Sequence, residues 1–397
     1  MNFWSKARCN LRQWPLLRRQ LATHNISPGS IPPLTSSKGP TAIMLLNMGG
    51  PATIPEVHNF LYRLFADEDL MPLGKYQKQI ARFISWRRTP KIEQHYSEIG
   101  GGSPIRRWSE YQGREMCRIL DILSPETGPH VPFVGFRYAN PLTETAFQQI
   151  LDSGIKRAIA FTQYPQYSCS TTGSSLNELS TLSKQLDPEG TIHWSIIDRW
   201  PTHDGLVSSF AELITAKLES AYKPEEQEEV ILLFSAHSLP MSVVNRGDPY
   251  PAEVAATVWA VMNKLGFKNK YRLVWQSQVG PTPWLGAQTS DTVKALAKKG
   301  QKMMLIPIAF TSDHIETLHE LDLEIIGELE EEGFTGITRA DSLNGHPVFV
   351  EALADVVINH LKQGAVATKQ YAMTCPMCTK ESCISSRKFF LEEQRGL

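Results

Sequence analysis

The residues with chemistry to offer stand just after short apolar runs. His237 follows Val230–Phe234 and lies between Ser235 and Ser238. A free imidazole titrates near pH ~6.5, so it can take up and release protons close to neutrality. On the residues alone, a capped structural histidine explains it equally well. The run Met303–Ile308 leads into Thr311-Ser312-Asp313-His314-Ile315-Glu316. If Ser312 caps a helix, Glu316, Glu320 and Glu324 fall at i, i+4 and i+8 on one face. Spaced glutamates usually mark a solvated face. His203 follows Arg199-Trp200-Pro201-Thr202 and could simply cap a helix that begins near Asp204. Asp355 lies in a largely apolar helical pattern with Phe349, Leu353, Val356 and Val357, where a buried acid needs a partner.

Cysteine is the other reactive type. Cys375, Cys378 and Cys383 form C-x₂-C-x₄-C near the C-terminus. In a reducing compartment such a group binds metal more often than it forms disulfides. The spacing alone suits zinc as well as iron–sulfur. Cys117 falls in a helical apolar pattern with Met116, Ile119, Leu120 and Ile122 and reads as core, whereas Cys169 follows a strand in a Ser/Thr-rich loop.

The elements that position these residues are legible as alternation. Strand-like runs recur at Ala42–Leu46, Pro132–Phe136, Ala158–Thr162, His193–Ile197, Val230–Phe234, Tyr271–Trp275, Met303–Ile308 and Gly336–Ala340. Helical patterns follow most of them. One is Leu206–Leu218, where Leu206, Phe210, Leu213, Ile214 and Leu218 make one stripe. Strands alternating with helices imply parallel sheets covered on both faces, an α/β fold. The eight runs divide as four and four. This predicts two doubly wound, Rossmann-like halves facing a cleft, the second a copy of the first without apparent sequence identity. Ligands in such sheets bind beyond the C-terminal strand ends. The other residues there are Asn47-Met48-Gly49-Gly50-Pro51, Arg137-Tyr138, Gln163-Tyr164-Pro165 and Gln276-Ser277. The predicted organisation is 1–40 leader and linker, 41–203 first half with a lip, 204–346 second half, 347–362 closing helix and 363–397 Cys-rich extension.

The strand-end motifs L-N-M-G-G-P, G-G-G-S-P-I, G-F-R-Y-A-N-P, Q-Y-P-Q-Y-S-C-S-T-T-G-S-S, D-R-W-P-T-H, F-S-A-H-S-L-P, V-G-P-T-P-W-L-G and F-T-S-D-H-I-E-T-L resemble those of the ferrochelatase family, in the same order, over about residues 41–362. The resemblance implies a chelatase-like fold and insertion of Fe²⁺ into protoporphyrin IX, the last step of haem biosynthesis. It implies that His237 accepts pyrrole protons or meets the metal. Asp313, His314, Glu316 and Glu320 would line an acidic path, and His203 with Asp355 would belong to the active site. Met48, Arg137 and Tyr138 would lie across the porphyrin plane from His237. Tyr164 and Trp284 would be walls, and Arg88, Tyr96 and Ser103 would bind the porphyrin, Arg88 by pairing with a propionate. The tail resembles that of animal-type members, which carry a [2Fe-2S] cluster with Cys169 as the remote fourth ligand. The resemblance also implies a homodimer held peripherally on the matrix side of the mitochondrial inner membrane.

Composition limits the rivals. The chain has 397 residues, 42% hydrophobic and 20% charged, with a net charge of −1. This is a globular composition with no overall basic field for nucleic acid. No acidic residue precedes Glu56, while Lys6, Arg8, Arg12, Arg18, Arg19 and Lys38 do. An Arg-rich, acid-free amphipathic start reads as a mitochondrial transit peptide, the alternative being a disordered basic tail. Leu70–Arg88 mixes Leu73, Ile80, Phe83, Ile84 and Trp86 with Lys75, Lys78, Arg82, Arg87 and Arg88, a pattern that suits a membrane surface or a helix packed on the core. An iron–sulfur oxidoreductase with a nucleotide cofactor would need G-x-G-x-x-G after a strand, and Gly100-Gly101-Gly102-Ser103 lacks that spacing. A non-catalytic tetrapyrrole-binding protein, or a chelatase for another tetrapyrrole, are the nearer rivals.

Overall fold

The computed structural model describes residues 39–70, 73–280, 282–378 and 380–393, so the basic leader and Cys9 lie outside the described residues. β1 (Thr41–Asn47) is buried along its whole length, with no polar face. Such a strand can only sit inside a sheet covered on both sides. It pairs in parallel with β2 (His130–Phe136) and with β3 (Arg157–Thr162), which pairs with β4 (His193–Ile197). The second half repeats the plan with β5 (Ile231–His237), β6 (Tyr271–Gln276), β7 (Met303–Pro307) and β8 (Ile337–Arg339). The two sheets have equivalent orders, β2-β1-β3-β4 and β6-β5-β7-β8. Residues 41–340 are thus two halves of one topology, the α/β architecture read from the sequence.

Period two decides which side chains face which core. Ile43, Leu45, Ile159 and Phe161 join Leu232, Phe234, Met304 and Ile306 in one cluster that runs through both halves. The alternate residues Ala42, Met44 and Ala160 pack outward in the first half, as do Leu233, Met303 and Leu305 in the second. Fully burying each such aliphatic side chain is worth about 1.5–3 kcal/mol. The helices that matter for the site are α1 (Val57–Ala66), α2 (Gln77–Glu98), α3 (Ile105–Leu123), α4 (Thr143–Ser153), α5 (Ser174–Leu186), α6 (Asp204–Ala221), α7 (Tyr250–Lys264), α8 (Thr289–Ala297), α9 (Pro347–Gln363) and α10 (Glu381–Lys388). Trp200 stacks between Phe161 and Phe349 of α9, at 5.8 and 6.2 Å between ring centroids. The closing helix is therefore pinned to both β3 and the chain crossing between halves.

Two departures from the sequence reading bear on the site. β5 runs on to His237, which pairs with Gln276, because β6 supplies a parallel partner along its full length. The segment after His314 is a π-helix, Glu316–Gly327, rather than an α-helix capped by Ser312. Its N-terminal turn is held by the Thr317 hydroxyl, which accepts from His314 N at 3.0 Å. Beyond α9 the chain covers the edge of the first sheet, where Ile196 N donates to Val366 O at 2.7 Å. Tyr371, Phe389 and Phe390 then bury themselves on that sheet's outer face.

Candidate active site

In doubly wound sheets of this order, ligands bind where connections leave in opposite directions. That places the C-terminal ends of β1 and β3, and of β5 and β7, at the centre. His237 ends β5. Its Nδ1 lies 2.5 Å from Ser238 O, a carbonyl that can only accept, so Nδ1 carries a proton. Nε2 points at Glu316, 3.6 Å from Oε1, and the ring is 6.3 Å from that of Trp284. The other carboxylate oxygen of Glu316 is 3.4 Å from His314 Nε2, and His314 Nδ1 donates to Ser312 O at 3.0 Å. One carboxylate therefore stands between two imidazoles whose outer nitrogens are fixed by backbone carbonyls. Burial works against the charge on Glu316, but the two histidines outweigh it and hold its pKa below the usual value. Burial likewise opposes charging His314, and Glu316 with the Ser312 carbonyl wins, raising its pKa. Burial and the charge of Glu316 push the phenols of Tyr96, Tyr164 and Tyr250 upward, so these three stay neutral around it. Tyr250, the first residue of α7, carried no signal in the sequence beyond its type.

Glu320 is the next acid along the π-helix. Ser277 N donates to its Oε1 at 2.8 Å and Ser277 Oγ to its Oε2. Ser277 takes φ of +65°, rare for a residue with a Cβ, and this conformation lets both its donors face the carboxylate. Burial and the neighbouring Glu316 raise the Glu320 pKa. The two carboxylates are driven apart, one ionised and one inclined to hold a proton, which is how a pair divides acid from base work. Gln276 Nε2 ties the start of the helix to β6 by donating to Glu316 O at 3.0 Å. Glu324 lies further out, half exposed and 3.8 Å from His319 Nδ1.

Asp313 is held by partners outside this row. It precedes the helix, and its carboxylate accepts from Ser342 Oγ at 2.6 Å, Asn344 Nδ2 at 2.7 Å and Thr317 Oγ1 at 3.0 Å, with Arg339 at 3.3 Å. Burial is outweighed by Arg339 and these donors, so its pKa is lowered. With its lone pairs taken, Asp313 organises the turn that presents His314.

The first-half wall begins at the turn after β1. Gly49 has φ of +79°, and a Cβ there would meet Phe136 Cβ at 2.7 Å, so only glycine passes. Met48, half-buried, accepts through its carbonyl from Tyr138 N at 3.0 Å. The Tyr138 side chain is buried and its hydroxyl donates to Asp67 Oδ2 at 2.5 Å, so the phenol is committed to that carboxylate rather than free to touch an incoming metal. Arg137 is likewise engaged, 3.2 Å from Asp67 and 3.0 Å from Glu178, and it positions this wall. Arg88, on the lip helix α2, lies over the Phe65 ring at 5.6 Å. Ser103 is buried, its N donating to Pro51 O at 2.8 Å and its hydroxyl packed where a Cβ on Gly50 would go. A buried amide network missed in the sequence joins the halves. Ser109 Oγ donates to Gln163 Oε1 at 2.8 Å, Gln163 Nε2 to Gln112 Oε1 at 2.8 Å, and Gln112 Nε2 to Thr311 O at 3.0 Å. Glutamine and serine at helix positions carry no local mark of such a role.

His203 is the residue before α6, but its side chain makes no capping bond. Its Nε2 is instead 3.0 Å from Asp355 Oδ2. Asp355 is not a buried acid: its side chain is 58% exposed, and it also accepts from Asn359 at 3.0 Å. The apolar residues around it in sequence occupy the opposite face of α9. The pair's described partners do not include His237 or Glu316.

The cysteines come from the tail and from the first half. Cys375, Cys378 and Cys383 lie on and before α10, and Cys169 stands at the turn before α5. Burial and Asp248 raise the Cys169 thiol, and burial, Asp248 and the neighbouring thiols raise Cys375. Cys117 is buried in the core. Gly247, at φ of +97°, lets Pro376 approach to 2.5 Å of where a Cβ would stand, which seats the cysteine loop against the second half. Asn177 Nδ2 donates toward Cys383 Sγ at 3.5 Å. Among the described residues no three His, Cys, Asp or Glu side chains converge on a single metal ion.

The chain resembles known proteins over most of its length. The family model described as Ferrochelatase matches residues 40–361. The mitochondrial ferrochelatase of Homo sapiens is 54% identical over 359 residues, covering 90% of this chain and 84% of that one. That of Schizosaccharomyces pombe is 49% identical over 364 residues, covering 91% and 86%. Among solved structures, SirB from Bacillus subtilis with Fe³⁺ is 12% identical with a TM-score of 0.48, covering 82% of this chain and 98% of that one.

Proposed function

This chain belongs to the ferrochelatase family, and from that premise we propose how its own residues carry the reaction. The activity is that of a metal-chelating lyase in the mitochondrion. Fe²⁺ enters protoporphyrin IX, two pyrrole N–H protons leave, and protohaem forms as the product of haem biosynthesis. Metallation poses three problems. Bases are needed at the ring nitrogens, the stiff macrocycle must be held so that its lone pairs are exposed, and Fe²⁺ must shed water against nitrogen or oxygen ligands.

The observation that carries the assignment is the placement of Glu316 between His237 Nε2 and His314 Nε2, at 3.6 and 3.4 Å. With Nδ1 holding its proton for Ser238 O, neutral His237 offers Nε2 as the base for a pyrrole proton. The resulting imidazolium is stabilised by the Glu316 carboxylate, which can pass the proton on. Glu320 is the next acceptor, held by Ser277. His314, kept cationic-prone by Glu316, orients that carboxylate. Trp284, Tyr164, Tyr96 and Met48 supply apolar walls, and Arg137, Tyr138 and Ser103 hold the first-half loops in place. Arg88 faces the propionates, and His203–Asp355 serves as a lesser outer pair. A purely binding role needs the cleft but not this ordered set of proton acceptors.

Cys169, Cys375, Cys378 and Cys383 fit a [2Fe-2S] cluster. Each iron takes two thiolates, so the donors need to stand in pairs rather than converge on one ion. The half-buried thiols and the Asn177 amide aimed at Cys383 suit cluster sulfurs. When bound, the cluster would supply a cross-link between the tail and the first half, and a redox-active centre.

The lip is the membrane contact. Tyr76, Phe83 and Trp86 are 61%, 59% and 67% exposed on or beside α2, next to the exposed Lys78, Arg82 and Arg87. Among the described residues no helix is long and apolar enough to cross a membrane. We read this exposed apolar and basic face as a peripheral contact, on the matrix side of the inner membrane and in a homodimer by family likeness, through which the enzyme takes its greasy substrate from the bilayer. The deciding experiment is anaerobic incubation of purified protein with protoporphyrin and Fe²⁺. Haem absorption should appear, and His237→Ala should abolish it while porphyrin binding stays within about tenfold, about 1.4 kcal/mol. Near-normal turnover in that variant would remove His237 from the mechanism.

A further inference from the structure

The tail's described polar contacts reach several parts of the chain, and one group of them converges on a single loop. Asp69 lies between α1 and the lip helix α2. Its Oδ1 accepts from Lys380 Nζ at 2.8 Å and its Oδ2 from Asn177 Nδ2 at 2.8 Å. Lys380 Nζ also donates to Glu68 O at 2.8 Å, and Ser382 Oγ reaches Asp69 Oδ1 at 3.4 Å. Lys380 and Ser382 lie between Cys378 and Cys383, and Asn177 also bonds toward Cys383 Sγ. Two residues back, Asp67 closes the loop by accepting from Asp69 N at 2.8 Å. The same Asp67 accepts from Tyr138 OH and from Ser174 Oγ at 2.6 Å, and pairs with Arg137. Arg137 N and Tyr138 N in turn donate to Asn47 O and Met48 O. A continuous chain of hydrogen bonds thus runs from the cysteine loop to the first-half wall of the cleft.

We propose that Lys380 and Asp69 form a clamp through which the cysteine extension sets the position of the lip loop 67–69 and, through Asp67, of the Arg137–Tyr138 wall. Both are positioning residues, remote from the reacting atoms. The carboxylate is well placed to hold: Asp69 is 16% and Lys380 26% exposed in their side chains, so the pair is drier than a surface ion pair. Burial is outweighed by Lys380 and Asn177, and the Asp69 pKa lies below the ordinary value. The clamp gives the tail a task independent of any chemistry at the iron–sulfur centre. In so far as the thiols hold a cluster, as proposed above, its loss releases the loop that carries Lys380 and so loosens the lip.

The test compares the purified full-length protein with Lys380→Met, Asp69→Asn and Lys380→Arg. The readouts are hydrogen exchange of segments 64–76 and 133–140, porphyrin KM and kcat, and visible [2Fe-2S] absorption. The clamp predicts faster exchange in both segments and a porphyrin KM raised about fivefold, at the low end for coupled sites. It also predicts kcat within about twofold and substantial recovery with Lys380→Arg, which keeps the charge. Faster exchange confined to 375–388, with 64–76, 133–140 and KM unchanged, would overturn it. Absence of cluster absorption in the parent protein would count against the cluster reading alone. The exchange pattern of Lys380→Met would still decide the clamp.

Discussion

Glu316→Gln is the most informative single change, because it keeps shape and hydrogen-bonding capacity while removing one charge. The carboxylate is 3.6 Å from His237 Nε2 and 3.4 Å from His314 Nε2. Two unit charges about 4 Å apart are worth about 4 kcal/mol at an effective dielectric of about 20. The His237 side chain is 36% exposed, which screens its share, so about 1.4–3 kcal/mol per imidazolium is the reasonable range. Loss of the relay adds the ordinary contribution of a positioned base, about 10²–10⁴-fold. Turnover should therefore fall by about 10²–10⁴-fold. Porphyrin affinity, measured by fluorescence titration, should stay within about tenfold. The rate is read anaerobically from haem absorption under saturating porphyrin. Glu324→Gln is the control, since Glu324 is half exposed beyond His319 and should cost less than about threefold. Normal turnover in Glu316→Gln, or equal damage in Glu324→Gln, would refute the relay and turn attention to His203 and Asp355.

Other outcomes follow from the same geometry. The His314 pKa is raised above 6.5, so its interaction with Glu316 adds stability that is fully present below pH 6.5 and lost as pH rises through the folded value. His314→Gln should therefore lose more melting temperature at pH 6 than at pH 9, and an equal loss at both would show that the ring is held by packing alone. Cys169→Ser should remove visible [2Fe-2S] absorption from the purified protein, whereas Cys117→Ser should leave it; the reverse result would reassign the fourth ligand. Phe83→Asp together with Trp86→Asp should weaken sedimentation with anionic vesicles, as should raised salt. Unchanged co-sedimentation would place the membrane contact elsewhere.

Much of the architecture was written in local pattern. β1 is apolar from end to end because both its faces are covered, and that is visible in Ala42–Leu46 without any partner. The alternation of such runs with helical stripes set the two-half α/β plan, and the strand-end rule pointed to His237, Glu316 and Tyr164 before any contact was known. The C-x₂-C-x₄-C spacing marked the tail for metal in the same local way.

What the pattern could not hold was the choice among partners distant in sequence. Asp313 and Glu320 both looked like members of one acidic row, yet Arg339, Ser342 and Asn344 capture the first while Ser277 presents the second. Asp355 sits among apolar neighbours in sequence but faces outward, because a helix places residues one and two apart on different sides. Arg137 and Tyr138 looked free to meet a substrate until Asp67, 71 residues before Tyr138, took the phenol and the guanidinium together. The first turn of the π-helix is likewise tied by Gln276, 40 residues before Glu316. Residue type and period specify what each segment can do. Which of several equivalent carboxylates faces the two imidazoles is settled only when the folded chain brings distant donors to the others.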